Sequence, residues 1–151
     1  MADTLIQGTT IIEDKRSEKG EVWSCAGSDF NGSTPDTDDI TLSSGDDGSL
    51  LASADGITCL KGVNIPNGAT IKEVVVYGDA AASAETYFLY RRSIDSGIGA
   101  GATIMATANI GTVDEIINKP IINNEDFCYW LQTTSIDTGD EIWGARIKYE
   151  F

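Results

Sequence analysis

The chain has 151 residues, enough for one domain with its own core and too few for two stable ones. Its 24 acidic against 10 basic residues leave a formal charge of −14, which repels a phosphate backbone and argues against nucleic acid as a partner. With no histidine, Ser-His-Asp and Cys-His nucleophilic systems are excluded, and the commonest transition-metal ligand is missing.

No run approaches the ~20 apolar residues of a membrane helix, so no membrane partner is expected. The first residues also lack the basic and apolar blocks of a secretory signal, and export by that route is not expected. Residues 1–20 carry two apolar pairs, Leu5-Ile6 and Ile11-Ile12, ahead of a mixed-charge run from Glu13 to Lys19. They read as a solvated hairpin or as an arm whose apolar pairs a neighbouring subunit covers. Residues 21–151 read as a single β-sandwich domain. In Glu21 to Ala26, Val22, Ser24 and Ala26 fall on one face and Trp23 and Cys25 on the other.

Residues 27–55 form a long loop rich in turn formers, with short strands at Ile40-Thr41-Leu42 and near Leu50-Leu51. A connection this long in a compact domain usually serves function or rests on a neighbour. Its Asp36, Asp38, Asp39, Asp46 and Asp47 bring oxygen ligands close together, as calcium requires. The spacing is not that of an EF-hand, and Asp also caps turns by bonding the local backbone. The expected reading is a solvated turn, with no metal or other cofactor.

After Gly56 to Leu60 and Val63 to Ile65, Pro66-Asn67-Gly68 marks a turn. The strand Thr70 to Tyr77 places Ile71, Glu73, Val75 and Tyr77 on one face and Lys72, Val74 and Val76 on the other. Both faces are largely apolar, which implies cover on both sides and makes Val74 and Val76 candidates for a subunit contact. Across a small-residue connection, its expected partner Glu85 to Ile94 alternates Tyr87, Leu89 and Arg91 against Phe88, Tyr90 and Arg92. The aromatic content favours a strand. Thr103 to Ile110 follows, with Ile104, Ala106, Ala108 and Ile110 on one side.

Asp114 to Ile122 reads as an edge strand because Pro120 interrupts it. Phe127 to Ile136 alternates Phe127, Tyr129, Leu131 and Thr133 against Cys128, Trp130, Gln132 and Thr134. Beyond the turn Asp137 to Asp140, Trp143, Ala145, Ile147, Tyr149 and Phe151 form an apolar face opposite Gly144, Arg146, Lys148 and Glu150. About eight to ten strands with no convincing helix predict an all-β fold: an antiparallel two-sheet sandwich, jelly-roll-like.

Chemistry is sparse in this pattern. Cys25, Cys59 and Cys128 cannot all pair within one chain and read as buried apolar fillers, with a Cys25–Cys59 disulfide or an intersubunit bridge as alternatives. Paired carboxylates cannot be recognised from spacing, and no catalytic residue is assigned. Arg91 and Arg92 either pair with nearby carboxylates or bond across a subunit boundary. Trp23, Tyr87, Tyr90 and Trp130 are either core or, if exposed, able to stack on sugar rings.

Val63 to Ile71, Val76-Tyr77, Leu89-Tyr90-Arg91-Arg92, Met105-Ala106, Tyr129-Trp130-Leu131 and Trp143 to Tyr149 form an ordered set. Together they resemble a recurrent β-sandwich domain of bacterial surface and phage-associated structural proteins, over roughly residues 57 to 151. The resemblance implies no catalytic residues. A virion component assembles in the host cytoplasm and needs no export signal. The leading expectation is therefore a non-enzymatic capsid decoration protein on the virion surface. It self-associates, as a trimer or another symmetric oligomer, clamps neighbouring subunits with its N-terminal arm and long acidic loop, and has a major capsid protein as a further partner. The interface candidates are Leu5, Ile6, Ile11, Ile12, Val74, Val76, Arg91 and Arg92. The alternatives are a carbohydrate-binding module using exposed aromatics and a subunit of an extracellular fibre, which would place the chain at an extracellular surface.

Overall fold

The computed structural model describes residues 20–33, 40–42, 47–97 and 101–151. Among them are strands β1 (Glu21–Ala26), β2 (Asn31–Gly32), β3 (Ile40–Leu42), β4 (Leu50–Ala52), β5 (Ile57–Gly62), β6 (Thr70–Gly78), β7 (Thr86–Ser93), β8 (Thr103–Asn109), β9 (Phe127–Ile136) and β10 (Glu141–Glu150). Short 3-10 turns occupy Gly27–Asp29 and Ala82–Ala84. The expected arm lies outside the described residues.

All strand pairings are antiparallel, and they make two sheets. In the first, β10 is central: β6 runs along one edge, β1 and β4 share the other, and β3 continues beyond β4. The second sheet has the order β2-β5-β9-β7-β8. The fold is an all-β, antiparallel, jelly-roll-like sandwich. The strands β6 and β7, expected to pair, belong to different sheets, and the connection after Gly78 carries the chain from one to the other. A side chain at Gly78 has no room, since its Cβ would run into the Glu141 carbonyl oxygen.

The core is made where the two inner faces meet, by residues such as Leu50, Ile71, Val76, Leu89, Leu131, Ile142 and Ile147, none more than 2% exposed. Burying each large aliphatic side chain favours folding by about 1.5–3 kcal/mol. Tyr87 crosses this core from β7. Its hydroxyl lies 2.7 Å from the carbonyl oxygens of both Val74 and Thr112, which share its single proton.

The ladders of the described residues carry four register shifts, and the two in β6–β10 and the one in β7–β8 move candidate residues from one face to the other. In the β6–β10 ladder the register slips at Lys72, so Ile71, Val74 and Val76 point into the core while Glu73, Val75 and Tyr77 point out. Val74 and Val76 are 0% exposed within the chain's own core, which removes them as a surface for a second subunit. A second slip makes Trp143 the extra residue. Ile142 takes the inward place, and Trp143, expected in the core with Phe151, is 52% exposed. The third, between β7 and β8, buries Met105 and leaves Ile104 42% exposed.

The segment after β8 was expected as an edge strand and instead closes the side of the sandwich. Asp114 and Ile121 make isolated antiparallel bridges to Val74 and Thr70 on the free edge of β6. The Asp114 carboxylate also accepts the Thr107 N–H at 2.9 Å, and Asn118 bonds the Met105 and Ile104 carbonyls, so the outer edge of β8 is capped as well. One loop blunts two edges.

Candidate ligand-binding face

The two outer faces of the sandwich differ in chemistry. On the first sheet Glu73 is placed 2.9 Å from Lys148 and 4.0 Å from Arg146, and Lys72 is 2.9 Å from Glu150. Such a surface is ordinary solvated cover, with each pair worth about 0–1 kcal/mol.

β1 and β10 of that sheet also carry the exposed Val22 and Trp143, whereas the second sheet presents a stacked row of half-buried aromatic rings. Tyr87, Leu89 and Leu131 turn inward, so the alternation of β7 and β9 sends Phe88, Tyr90 and Arg92 outward beside Gln132, Trp130 and Cys128. The register places Tyr90 directly opposite Trp130 and Phe88 opposite Gln132. Phe88 stacks on Tyr90 with ring centroids 5.3 Å apart, and Tyr90 on Trp130 at 5.4 Å, with interplanar angles of 24° and 26°. A full face-to-face overlap would bring ring atoms to about 3.5 Å, so these rings are slipped past each other and each keeps part of a face uncovered.

Polar groups fix the ladder from its flanks. The Trp130 indole N–H donates to the Gln132 side-chain oxygen at 3.3 Å, and the Thr134 hydroxyl donates to the Thr86 carbonyl at 3.1 Å. On the neighbouring strands Gly62 lies opposite Trp130 and the exposed Thr107 opposite Phe88. At the end of the face away from Phe88, a cavity of about 490 Å³ opens, bordered by Gly62, Asn64, Ile94, Asn124 and Cys128. Its size is that of a small-ligand site.

The charged candidates fall as follows. Arg91 and Arg92 find no carboxylate among the described residues. The Arg91 guanidinium lies 4.0 Å from the centre of the Phe127 ring, and the buried Nε of each arginine lacks a hydrogen-bond partner. Asp47 accepts the Ser49 N–H at 2.9 Å, a local turn contact. Asp36, Asp38, Asp39 and Asp46, like Leu5, Ile6, Ile11 and Ile12, lie outside the described residues. Among the described residues no group of three or more metal-binding side chains gathers.

Cys25, Cys59 and Cys128 form no disulfide within the chain. Burial and the nearby Asp29 push the Cys25 thiol up to about 11, so at neutral pH it is an inert thiol and not a nucleophile. Of the four aromatics named as sugar-stacking candidates, Tyr90 and Trp130 share this face. Trp23 packs against the core, and Tyr87 is inside it. Phe88 completes the ladder.

No family model matches the sequence, and no curated protein matches it either. Solved structures with a similar course of the chain include the C-terminal CBM6 of the laminarinase LamC from Zobellia galactanivorans. It is 13% identical with a TM-score of 0.45, over 84% of this chain and 98% of that one. The xylan-binding module CBM15 is 17% identical with a TM-score of 0.45, over 85% and 96%. The K1 cleaved adhesin domain of Lys-gingipain from Porphyromonas gingivalis is 12% identical with a TM-score of 0.39, over 87% and 98%. At these values the likeness assigns no ligand to this chain.

Proposed function

We propose that the protein is a non-catalytic binding module whose second sheet takes a saccharide chain on its outer face. The observation that carries this reading is the Phe88–Tyr90–Trp130 ladder. None of the three rings belongs to the core cluster, so the fold does not need them there. The three rings are half-buried on the sheet's outer side, and contiguous apolar surface in such a place marks interaction sites. The partly open ring faces carry the negative side of the aromatic quadrupole and suit the weakly positive C–H surface of a sugar. Hydroxyls of the same sugar can bond to Gln132, Thr107 and the amides of Asn64 and Asn124. A row of stacking surfaces fits a repeating ligand better than a single compact one. Such a ligand implies work at a cell surface or outside it.

The assembly readings have less behind them. Clamping by the apolar pairs before residue 20 falls outside the described residues, and Val74 and Val76 are spent in the core. A fibre grown by strand addition meets capped edges at β6 and β8.

A glycan array followed by calorimetric titration tests the proposal. Saturable binding is expected, weakened about tenfold or more by Trp130→Ala at unchanged melting temperature. If no glycan on a broad array binds saturably, the reading fails.

A further inference from the structure

Arg92 is the next outward residue of β7 after Phe88 and Tyr90, and the stacking ladder leaves it unused. It stands opposite Cys128, and Ile94, two residues further along, borders the cavity with Cys128. Position 92 therefore lies on the strand between the Tyr90–Trp130 pair and the cavity-lining Ile94.

Its surroundings differ from those of the paired cations. With 24 acidic residues against 10 basic ones, carboxylates are plentiful, and Lys72, Arg146 and Lys148 all have one within 4.0 Å. Arg91 is placed over an aromatic ring. Arg92, like Lys61 and Lys119, has neither kind of partner among the described residues, and its Nε, like those of Arg91 and Arg146, is buried without an acceptor. A buried, unpartnered N–H of a charged group is costly until something supplies the acceptor. The planar guanidinium fork matches two oxygens of a carboxylate or sulfate.

We propose that this face selects an anionic saccharide, with the carboxylate or sulfate of one unit on Arg92 and an adjoining sugar ring on Tyr90 and Trp130. The inference rests on the saccharide reading given above. The acidic remainder of the surface repels polyanions at long range, so recognition depends on local positive charge, which Arg92 supplies beside the rings and Lys61 at the cavity wall.

The test is calorimetric titration of the intact protein with uronic-acid, sulfated and neutral oligosaccharides of matched length. One anionic series is expected to bind about tenfold or more tightly than the neutral series, and which one does so identifies the acidic group. Arg92→Gln should collapse that ratio towards one, and Arg92→Lys, which keeps the charge and loses the fork, should restore part of it. Neutral and anionic series binding equally well to the unaltered protein would overturn the inference while leaving the saccharide reading intact. A ratio unchanged in Arg92→Gln would overturn it too. Binding of none of the three series overturns both.

Discussion

Tyr87 is a single side chain whose polar end holds the two sheets in register. It starts on β7, passes through the core and ends between the Val74 and Thr112 carbonyls, 2.7 Å from each. Burial and the neighbouring Asp114 raise its pKa, so the hydroxyl stays a donor across the whole working range of pH. Replacing it in Tyr87→Phe keeps the ring and removes the donor. The expected cost is about 1–2 kcal/mol, or a melting temperature lower by about 3–6 °C, read by calorimetry. An unchanged melting temperature would mean that the Asp114 N–H suffices for the Val74 carbonyl and that water satisfies the Thr112 carbonyl. At this scale the sequence was informative about faces and silent about neighbours. Alternation alone put Phe88, Tyr90 and Arg92 on one face of β7, and Cys128, Trp130 and Gln132 on one face of β9. Nothing in it shows that these two strands lie side by side with Tyr90 opposite Trp130, because pairing across so many intervening residues leaves no local trace. The fate of Trp23 and Tyr87 follows from the same gap: an aromatic in a strand looks alike whether it faces a core or a ligand.

Among the elements, the loop between β8 and β9 holds more than its irregular course suggests. Asp114 exchanges backbone hydrogen bonds with Val74 of the first sheet, while its carboxylate accepts the Thr107 N–H of the second. Asp114→Ala keeps the backbone bridge and loses the side-chain acceptor. It should cost about 1–2 kcal/mol and speed hydrogen exchange at Thr107 well beyond its effect on central strands. Equal acceleration everywhere would count against a local clasp. Pro120 was a sound signal that this segment does not sit inside a sheet. The bulges at Lys72, Trp143 and Met105 left no such sign, because a bulge is a property of the pair of strands. An unbroken period of two therefore sent Val74 and Val76 outward and Trp143 inward. The glycine at position 27 was equally mute, although a Cβ there would run into the Ile142 carbonyl oxygen.

For the whole molecule, the decisive fact is that one strand joins the first sheet together. β10 pairs with β1, β4 and β6, and its Ile147 and Tyr149 belong to the core. Removing residues 147–151 leaves Glu21, Trp23, Ile71 and Val74 without their partners. The shortened chain should lose cooperative thermal unfolding and near-ultraviolet dichroism; a soluble product with a sharp melting transition would contradict the account. The same arrangement also sets an order in time. The second sheet has all its strands once β9 has been made, but β1 and β6 have no lateral partner in the first sheet until β10 emerges from the ribosome, after more than a hundred residues have followed β1. Long loops must close before those contacts count, and such closure is slow. During synthesis half of the sandwich waits with its apolar face open, and the last strand to appear is the one that shuts it.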